Sequence, residues 1–367
     1  MKIGLFGGTF NPPHNTHINI VRKATEQLSL DKLIVVPCGD PPHKRCDTDK
    51  IERLAMTRIA FEGIADVWDY EISKPDKSYT VETLREVKRI NTDAEIYLII
   101  GGDSLKNFDT WYRPKEIASA ATLAVANRTD SDIVNSADKA QAEYGAKVIM
   151  LDVAPDGVSS TEIRLRYTFG MSNADCVPKA VDEYIVRKAL YAEYSAMVCK
   201  LKTYLTQERF MHTFYVVKRG LELAADEMRD KAFVACLLHD VAKYVPPDRY
   251  AEYGFICPKG MPAPVVHSFL GAKVAEKDFG ITDTDILQAI KYHTTGRPEM
   301  TELEKLVYVA DKTEQTRPYP LEHLLNGTLD EMFLKCLAEA NEYREQVHGD
   351  TDFDLTDKTL EYYGVNN

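Results

Sequence analysis

The apolar residues of this 367-residue chain follow two different periodicities, and the change lies near residue 195. Before that point, short apolar runs alternate with segments that have the spacing of amphipathic helices, such as 16–28, 49–62 and a helix that Ser78 would cap, 78–89. Strands that alternate with helices form βαβ crossovers, so this half predicts a parallel sheet covered on both faces. The expected strands are 2–6, 33–37, 67–72, 96–100, 122–126 and 147–153.

After residue 195 the strand pattern disappears, and the apolar runs suit helices at 197–205, 213–228, 231–241, 266–277, 283–292 and 302–311. We therefore predict a multidomain protein. Residues 1–192 form an α/β domain with a Rossmann-like parallel sheet, and residues 193–367 form an all-α domain. The length agrees with this division, because single hydrophobic cores rarely grow beyond about 250 to 300 residues.

Charge and composition exclude several classes of protein. The net charge is −12, whereas a protein that binds nucleic-acid polymers without specificity usually carries a basic excess, so no such partner is expected. The longest apolar runs, such as 95–100, have strand length, and the first residues lack a signal-peptide pattern, so we expect a cytoplasmic protein without a membrane partner. The seven scattered cysteines contain no CxxC pair and indicate reduced thiols.

The first strand leads directly into a glycine turn and two histidines, in the order Gly7-Gly8-Thr9-Phe10-Asn11-Pro12-Pro13-His14-Asn15-Thr16-His17. The glycines allow a ligand to approach the backbone, and the start of the following helix favours a phosphate. The two histidines are three residues apart and would point at the same spot, which suits phosphoryl transfer. Two glycines alone would indicate only a turn, but the combination favours a site.

These residues resemble the HxGH nucleotidyltransferase signature, and residues 1–191 resemble nicotinate-mononucleotide adenylyltransferases. The resemblance includes segments 41–44, 78–80, 101–104, 111–112, 126–128 and 159–164. It implies transfer of AMP from ATP to nicotinate mononucleotide, with release of pyrophosphate and assistance from Mg²⁺. The family has glycine between the two histidines, where this chain has Thr16.

The resemblance also implies roles for individual residues. The catalytic residues would be His14, His17, Lys44 and Arg164. ATP would contact Gly7, Gly8, Thr9, Phe10, His14, His17, Asp103, Ser160, Thr161 and Arg164. Nicotinate mononucleotide would contact Lys44, Thr80, Trp111, Tyr112 and Arg128, with the Trp111 ring stacked on the nicotinate. The sequence leaves open that Trp111 is a packing residue, that Lys44 is an exposed basic residue, and that segment 159–161 is only a helix cap.

The helical half carries histidines and aspartates in a suggestive set: His212, His239, Asp240, His267, His293 and Asp311. An aspartate at the end of an apolar helix, as at 306–311, is costly to bury unless it is paired or bound to a metal. Mixed histidine and aspartate ligands suit divalent iron, manganese or zinc. Any one of these histidines alone would be interpreted as structural, but the set of six indicates a metal site. His323 and His348 lack such a context and are expected at the surface.

The order of these residues resembles the H…HD…D pattern of the HD superfamily, and His267 and His293 match its dinuclear subset. The flanking segments 293–296 and 308–311 resemble the YqeK family of symmetrical diadenosine-tetraphosphate hydrolases over residues 195–360. This resemblance implies hydrolysis of diadenosine tetraphosphate (Ap4A) to two ADP by metal-activated water, with two iron ions, or manganese or zinc. Asp240 and Lys243 would be catalytic, and Lys243 and Arg317 would neutralise phosphate charge or be ordinary surface cations.

Three interpretations remain open at this point. The first is a bifunctional enzyme with both activities. The second keeps the transferase but makes the helical half a noncatalytic nucleotide sensor. The third changes the substrates, with phosphopantetheine or nicotinamide mononucleotide as the acceptor beside a nucleotidase of another substrate. A homodimer is one assembly state that the sequence leaves open.

Overall fold

The computed structural model describes residues 1–39, 46, 48–75, 77–127, 131–153, 158–347 and 353–365. The chain divides into two compact units, Met1–Ala192 and Glu193–Asn367. In the described part of the chain, no helix combines the length and the apolar character that crossing a membrane requires.

The first unit is built on a six-stranded parallel sheet with the order β3-β2-β1-β4-β5-β6. The strands are β1 Lys2–Gly8, β2 Lys32–Pro37, β3 Asp66–Val67, β4 Glu95–Gly101, β5 Thr122–Asn127 and β6 Val148–Asp152. The strand order reverses between β1 and β4. Ligands bind at such a switch point, beyond the carboxyl ends of the strands.

Helices cover both faces of this sheet. They are α1 Asn15–Leu28, α2 Lys50–Phe61, α3 Thr80–Ile90, α4 Gly102–Lys106, α5 Pro114–Ala120, α6 Ser131–Tyr144, α7 Ser160–Thr168 and α8 Lys179–Lys188. Successive residues of a strand enter opposite cores, because side chains alternate between the two faces. Leu98 of β4, for example, packs in the core that contains Val81 and Leu84 of α3, whereas Ile99 packs with Val21 of α1.

The third strand is shorter than the predicted segment 67–72. After Val67 the chain adds one more sheet hydrogen bond, from Trp68 N to Val35 O, and then turns back on itself, with Ser73 N donating to Asp69 O. Ser78 does not cap the following helix, because its hydroxyl donates to Glu71 O and α3 begins only at Thr80.

The second unit is helical, and its described residues contain no strand. Its helices are α9 Ser195–Leu201, α10 Gln207–Leu223, α11 Arg229–Leu238, α12 Ala263–Phe279, α13 Thr284–Tyr292, α14 Glu302–Thr313, α15 Leu329–Val347 and α16 Leu355–Tyr363. Helix α11 is buried from Ala232 to Leu238 and packs against α10, α13 and α14. The predicted fold class, a parallel-sheet unit followed by an all-α unit, is confirmed.

Candidate active sites

The glycine turn at the end of β1 brings the backbone close to a pocket. Gly7 and Gly8 both line it, and a Cβ atom added to Gly8 would lie 2.9 Å from the ring of Phe10, so a larger residue would displace that ring. Phe10 is buried, and its ring meets the His17 ring edge-on with centroids 5.1 Å apart. Any contact between Phe10 and a nucleotide would therefore come from its backbone.

His14 and His17 lie together at the start of α1, with ring centroids 3.9 Å apart. The backbone N–H of His14 donates to Nδ1 of His17 over 3.1 Å. Because Nδ1 accepts this bond, the proton of a neutral His17 ring is on Nε2. Desolvation, and then the nearby charge of His14, hold the pKa of His17 well below its usual value. His17 is therefore a neutral ring that presents an N–H donor at Nε2.

The N-terminus of α7 is fixed against the loop that precedes α1. Ser160 Oγ donates to Pro12 O over 3.1 Å, and Arg164 Nη1 donates to Asn11 O over 2.7 Å. Arg164 Nη2 also donates to Thr161 Oγ1 over 3.1 Å. Two helix N-termini from distant parts of the sequence therefore lie at one place, where their free N–H groups and dipoles favour a phosphate chain.

A pocket of about 300 Å³ lies beyond the carboxyl ends of β1 and β4. Three residues predicted to contact nicotinate mononucleotide, Thr80, Trp111 and Tyr112, line it. Trp111 also packs against Phe108, with ring centroids 5.6 Å apart. A packing role and a place in the wall of the pocket are therefore compatible for this tryptophan. Asp103 is exposed and is not among the lining residues. Lys44 and Arg128 lie outside the described residues.

Arg53 of α2 supports this site and was not predicted. It is 1% exposed, and its guanidinium donates to Thr9 O over 3.0 Å, Cys38 O over 2.7 Å and Gly39 O over 2.6 Å. Arg53 therefore ties the turn after β1 to the segment after β2. An arginine in an amphipathic helix gives no signal of such a role, because most arginines there are at the surface.

Glu71 was also not predicted, although it lines the pocket. Its carboxylate accepts from Thr83 Oγ1 over 2.6 Å, and burial raises its pKa. Thr16 occupies a helical position in α1 and does not have a positive φ angle, so the backbone there does not require the glycine of the family signature.

In the second unit, the six predicted ligands converge from five helices. His212 lies in α10, His267 in α12 and Asp311 in α14, whereas His239, Asp240 and His293 lie just after the ends of α11 and α13. His212 Nε2 is 3.1 Å from Asp311 Oδ1 and 3.3 Å from His239 Nε2. His267 Nε2 is 2.9 Å from Asp240 Oδ1 and 3.2 Å from His293 Nε2.

The carboxylate of Asp240 lies between the two groups of histidines. Its Oδ2 is 3.5 Å from His239 Nε2 and 4.0 Å from His212 Nε2, whereas its Oδ1 faces His267 and His293. Candidate ligand atoms within 4.8 Å of one another form two groups, His212, His239 and Asp311, and His239, Asp240 and His293. Asp240 belongs to the second of these groups, and its two carboxylate oxygens also lie near His212 and His267, so it is a candidate metal ligand on both sides of the cluster.

The hydrogen bonds of the outer nitrogens fit a metal site. Nδ1 of His239 lies 2.7 Å from Cys236 O, and Nδ1 of His293 lies 2.7 Å from Ile290 O. A carbonyl can only accept, so both Nδ1 atoms carry the proton and both Nε2 atoms keep a lone pair toward the cluster. This is the arrangement that metal-binding histidines adopt.

Cations surround the two aspartates. Arg317 Nη2 is 2.8 Å from Asp311 Oδ1, Arg209 Nη1 is 3.0 Å from Asp240 Oδ2, and Lys243 Nζ is 3.8 Å from Asp240 Oδ1. Burial opposes ionisation of Asp311, but the charge of Arg317 holds its pKa well below the usual range. Arg209 was not predicted, although its position three residues before His212 on one helix was a usable signal.

Known proteins resemble both units. The chain matches the cytidylyltransferase-like family over residues 5–166 and the HD domain over residues 209–316. A probable nicotinate-nucleotide adenylyltransferase of Synechococcus sp. is 37% identical over 200 residues, which are 52% of this chain and 95% of the relative. The chain belongs to the nicotinate-nucleotide adenylyltransferase family. The predicted family resemblance is thus confirmed, with an HD domain following the transferase.

A relative with both parts is also found. The probable nicotinate-nucleotide adenylyltransferase/Ap4A hydrolase of Mycoplasma genitalium is 29% identical over 325 residues, 86% of this chain and 88% of the relative. Among solved structures, a predicted HD superfamily hydrolase involved in NAD metabolism from Clostridium acetobutylicum is 27% identical over 48% of this chain and 98% of its own, with a TM-score of 0.43.

Proposed function

We propose that the chain is a bifunctional enzyme whose first unit transfers AMP from ATP to nicotinate mononucleotide. The single observation that carries the proposal is the convergence of His14, His17 and the N-termini of α1 and α7 beside a pocket lined by Trp111. Family membership supports the same reaction. The products would be nicotinate adenine dinucleotide and pyrophosphate.

In this reaction a phosphate oxygen of the acceptor forms a bond to the α-phosphorus of ATP, and the bond to the pyrophosphate oxygen breaks. Such a step needs positioning and charge stabilisation more than covalent chemistry. His17 would donate from Nε2 to a phosphate oxygen whose negative charge grows, while α7 and Arg164 would hold the leaving pyrophosphate. Mg²⁺ that arrives with ATP would neutralise part of the phosphate charge.

The acceptor is tested by comparing kcat/KM for nicotinate and nicotinamide mononucleotides with the full chain. We expect a clear preference for nicotinate, because the Thr80 and Tyr112 backbone beside the pocket would bind its carboxylate. Trp111→Ala should raise the KM for the acceptor more than it changes the KM for ATP. Equal kcat/KM values for the two acceptors would contradict the assignment of this pocket.

For the second unit we propose symmetrical hydrolysis of Ap4A to two ADP. His212, His239 and Asp311 would hold one divalent ion, His267 and His293 would hold a second, and Asp240 would contribute a ligand to both. When bound, such ions would supply Lewis acidity and an activated water. Arg209, Lys243 and Arg317 would stabilise phosphate charge. The ligand geometry and the two-part relative from Mycoplasma genitalium support this proposal.

The products distinguish this proposal from its alternatives. Purified chain with Ap4A and Mn²⁺ should release ADP only, because symmetrical cleavage leaves two phosphates on each adenosine. Release of AMP and ATP would indicate cleavage at another bond. Tight binding of Ap4A without any product would favour the noncatalytic sensor, and hydrolysis of other nucleotides with no Ap4A cleavage would favour a different nucleotidase.

A further inference from the structure

We infer that Glu314 is a positioning residue that fixes His212 as a metal ligand by accepting a hydrogen bond from its outer nitrogen. The inference rests on the proposed metal site of the second unit. Glu314 is not one of the six predicted ligands, and it lies directly after the end of α14, three residues beyond Asp311.

The carboxylate of Glu314 is held in place from several sides. It is 1% exposed, and its Oε1 lies 3.3 Å from His212 Nδ1. Thr316 donates to the carboxylate from its backbone N–H and from its hydroxyl, each over 2.7 Å, and Arg317 Nε lies 3.7 Å from Oε1. A carboxylate that already accepts from Thr316 accepts from His212 too, so the Nδ1 of His212 carries a proton and its Nε2 lone pair faces Asp311 and His239.

The position of His212 in its helix explains why a side chain, and not a backbone carbonyl, accepts the hydrogen bond from its Nδ1. His239 and His293 follow the ends of their helices, where the last carbonyls lack helical partners and are free to accept from Nδ1. His212 lies inside α10, where the carbonyls take part in the helix, and Arg209 O three residues before it also accepts from Thr213 Oγ1. Glu314 therefore takes the place that a free carbonyl has at the other two histidines.

The two kinds of acceptor differ in charge. A carboxylate fixes the histidine tautomer as a carbonyl does, and it also makes the ring a stronger electron donor to a metal. Losing such a partner typically weakens metal binding about 10- to 100-fold. Only the affinity for the ion held by His212, His239 and Asp311 should change. Within the described part of the chain, the Glu314 carboxylate contacts His212, Thr316 and Arg317, and no contact with His267 or His293 is found.

The test is a calorimetric titration of the full metal-free chain with Mn²⁺. The number of bound ions is checked independently by measuring the metal content of the chain after gel filtration. The unmodified chain should bind two ions. Glu314→Ala should bind one ion with unchanged affinity and the other about 10- to 100-fold more weakly. Glu314→Gln keeps an oxygen acceptor without its charge, so its affinity for the weakened ion should lie between those of the unmodified chain and Glu314→Ala. Glu322→Ala, at an exposed glutamate of the same unit, should match the unmodified chain.

Each failure has a distinct signature. If the unmodified chain binds no Mn²⁺, the proposed metal site itself is wrong. If it binds two ions and Glu314→Ala binds both with unchanged affinity, the positioning role is refuted. Equal weakening of both ions, accompanied by a lower thermal midpoint of the metal-free chain, would mean that Glu314 acts through general stability and would also overturn the inference.

Discussion

Replacement of His17 by alanine should affect catalysis and stability separately, because the two ring nitrogens have different partners. Nε2 carries the proton and would donate to the transferring phosphate group, whereas Nδ1 accepts the backbone N–H of His14. Loss of one donor that acts in a transition state lowers kcat about 100- to 1,000-fold, or about 2.7–4 kcal/mol. Loss of the acceptor at the helix start costs about 0.5–2 kcal/mol of folding free energy.

Two further substitutions separate these effects. In His17→Asn the side-chain oxygen can replace Nδ1 as the acceptor but offers no donor at the Nε2 position, so stability should recover while kcat stays low. In His17→Gln the amide nitrogen can approach the Nε2 position, so kcat should recover in part. The assay is steady-state kinetics of pyrophosphate release with saturating ATP and nicotinate mononucleotide, beside thermal unfolding of the full chain.

Hydrolysis of Ap4A by the second unit is the internal control, and all three variants should retain it. A kcat for His17→Ala within about threefold of the unmodified enzyme would refute the role of Nε2, since that ratio is only about 0.7 kcal/mol. Full activity of His17→Asn would refute it equally, because that side chain has no donor at the required place. Parallel loss of both activities would mean that the substitution disrupts the whole chain.

Other substitutions and conditions test the remaining physical arguments. Lowering the pH below about 6.5 should destabilise the first unit, because His17 then binds a proton in the unfolded chain but not in the folded one, where its pKa is lowered. The free energy of unfolding, measured by urea denaturation at several pH values, should depend less on pH in this range for His17→Asn. Arg53→Met leaves three backbone carbonyls without their donor, at about 1–3 kcal/mol each before relaxation. The thermal unfolding midpoint should therefore fall strongly, and the rate of adenylyl transfer should fall with it; an unchanged midpoint would contradict the role of Arg53. Gly220→Ala places a Cβ 2.5 Å from Cys236 Sγ between α10 and α11, so the free energy of unfolding should fall by about 1–3 kcal/mol; an unchanged urea midpoint would contradict this close packing. Treatment with a chelator that removes tightly bound metal, followed by addition of Mg²⁺, should abolish Ap4A hydrolysis and spare adenylyl transfer. Equal loss of the two activities would contradict separate sites.

Much of the fold could be predicted from the periodicity of apolar residues. Five of the six strands lie within two residues of their predicted bounds, because buried parallel strands are continuous apolar runs. The third strand was predicted too long, since its pattern continues into a turn that hydrogen-bonds to itself. Helix α10 begins at Gln207, six residues before the predicted start, because Thr206 caps it by accepting from Arg209 N.

The site residues that the sequence revealed differ in kind from those it did not. Histidines and aspartates that would bind a metal or a phosphate stand out, because such side chains are costly to bury without a ligand. Arg53 and Glu314 act on other protein groups, and their partners come from distant positions: Arg53 binds Thr9, 44 residues away, and Glu314 lies against His212, 102 residues away. Whether an arginine or a glutamate is buried against such a partner depends on how the elements pack, which periodicity within one segment does not determine. The residues that orient a site are therefore found only when the fold brings them beside the residues that they orient.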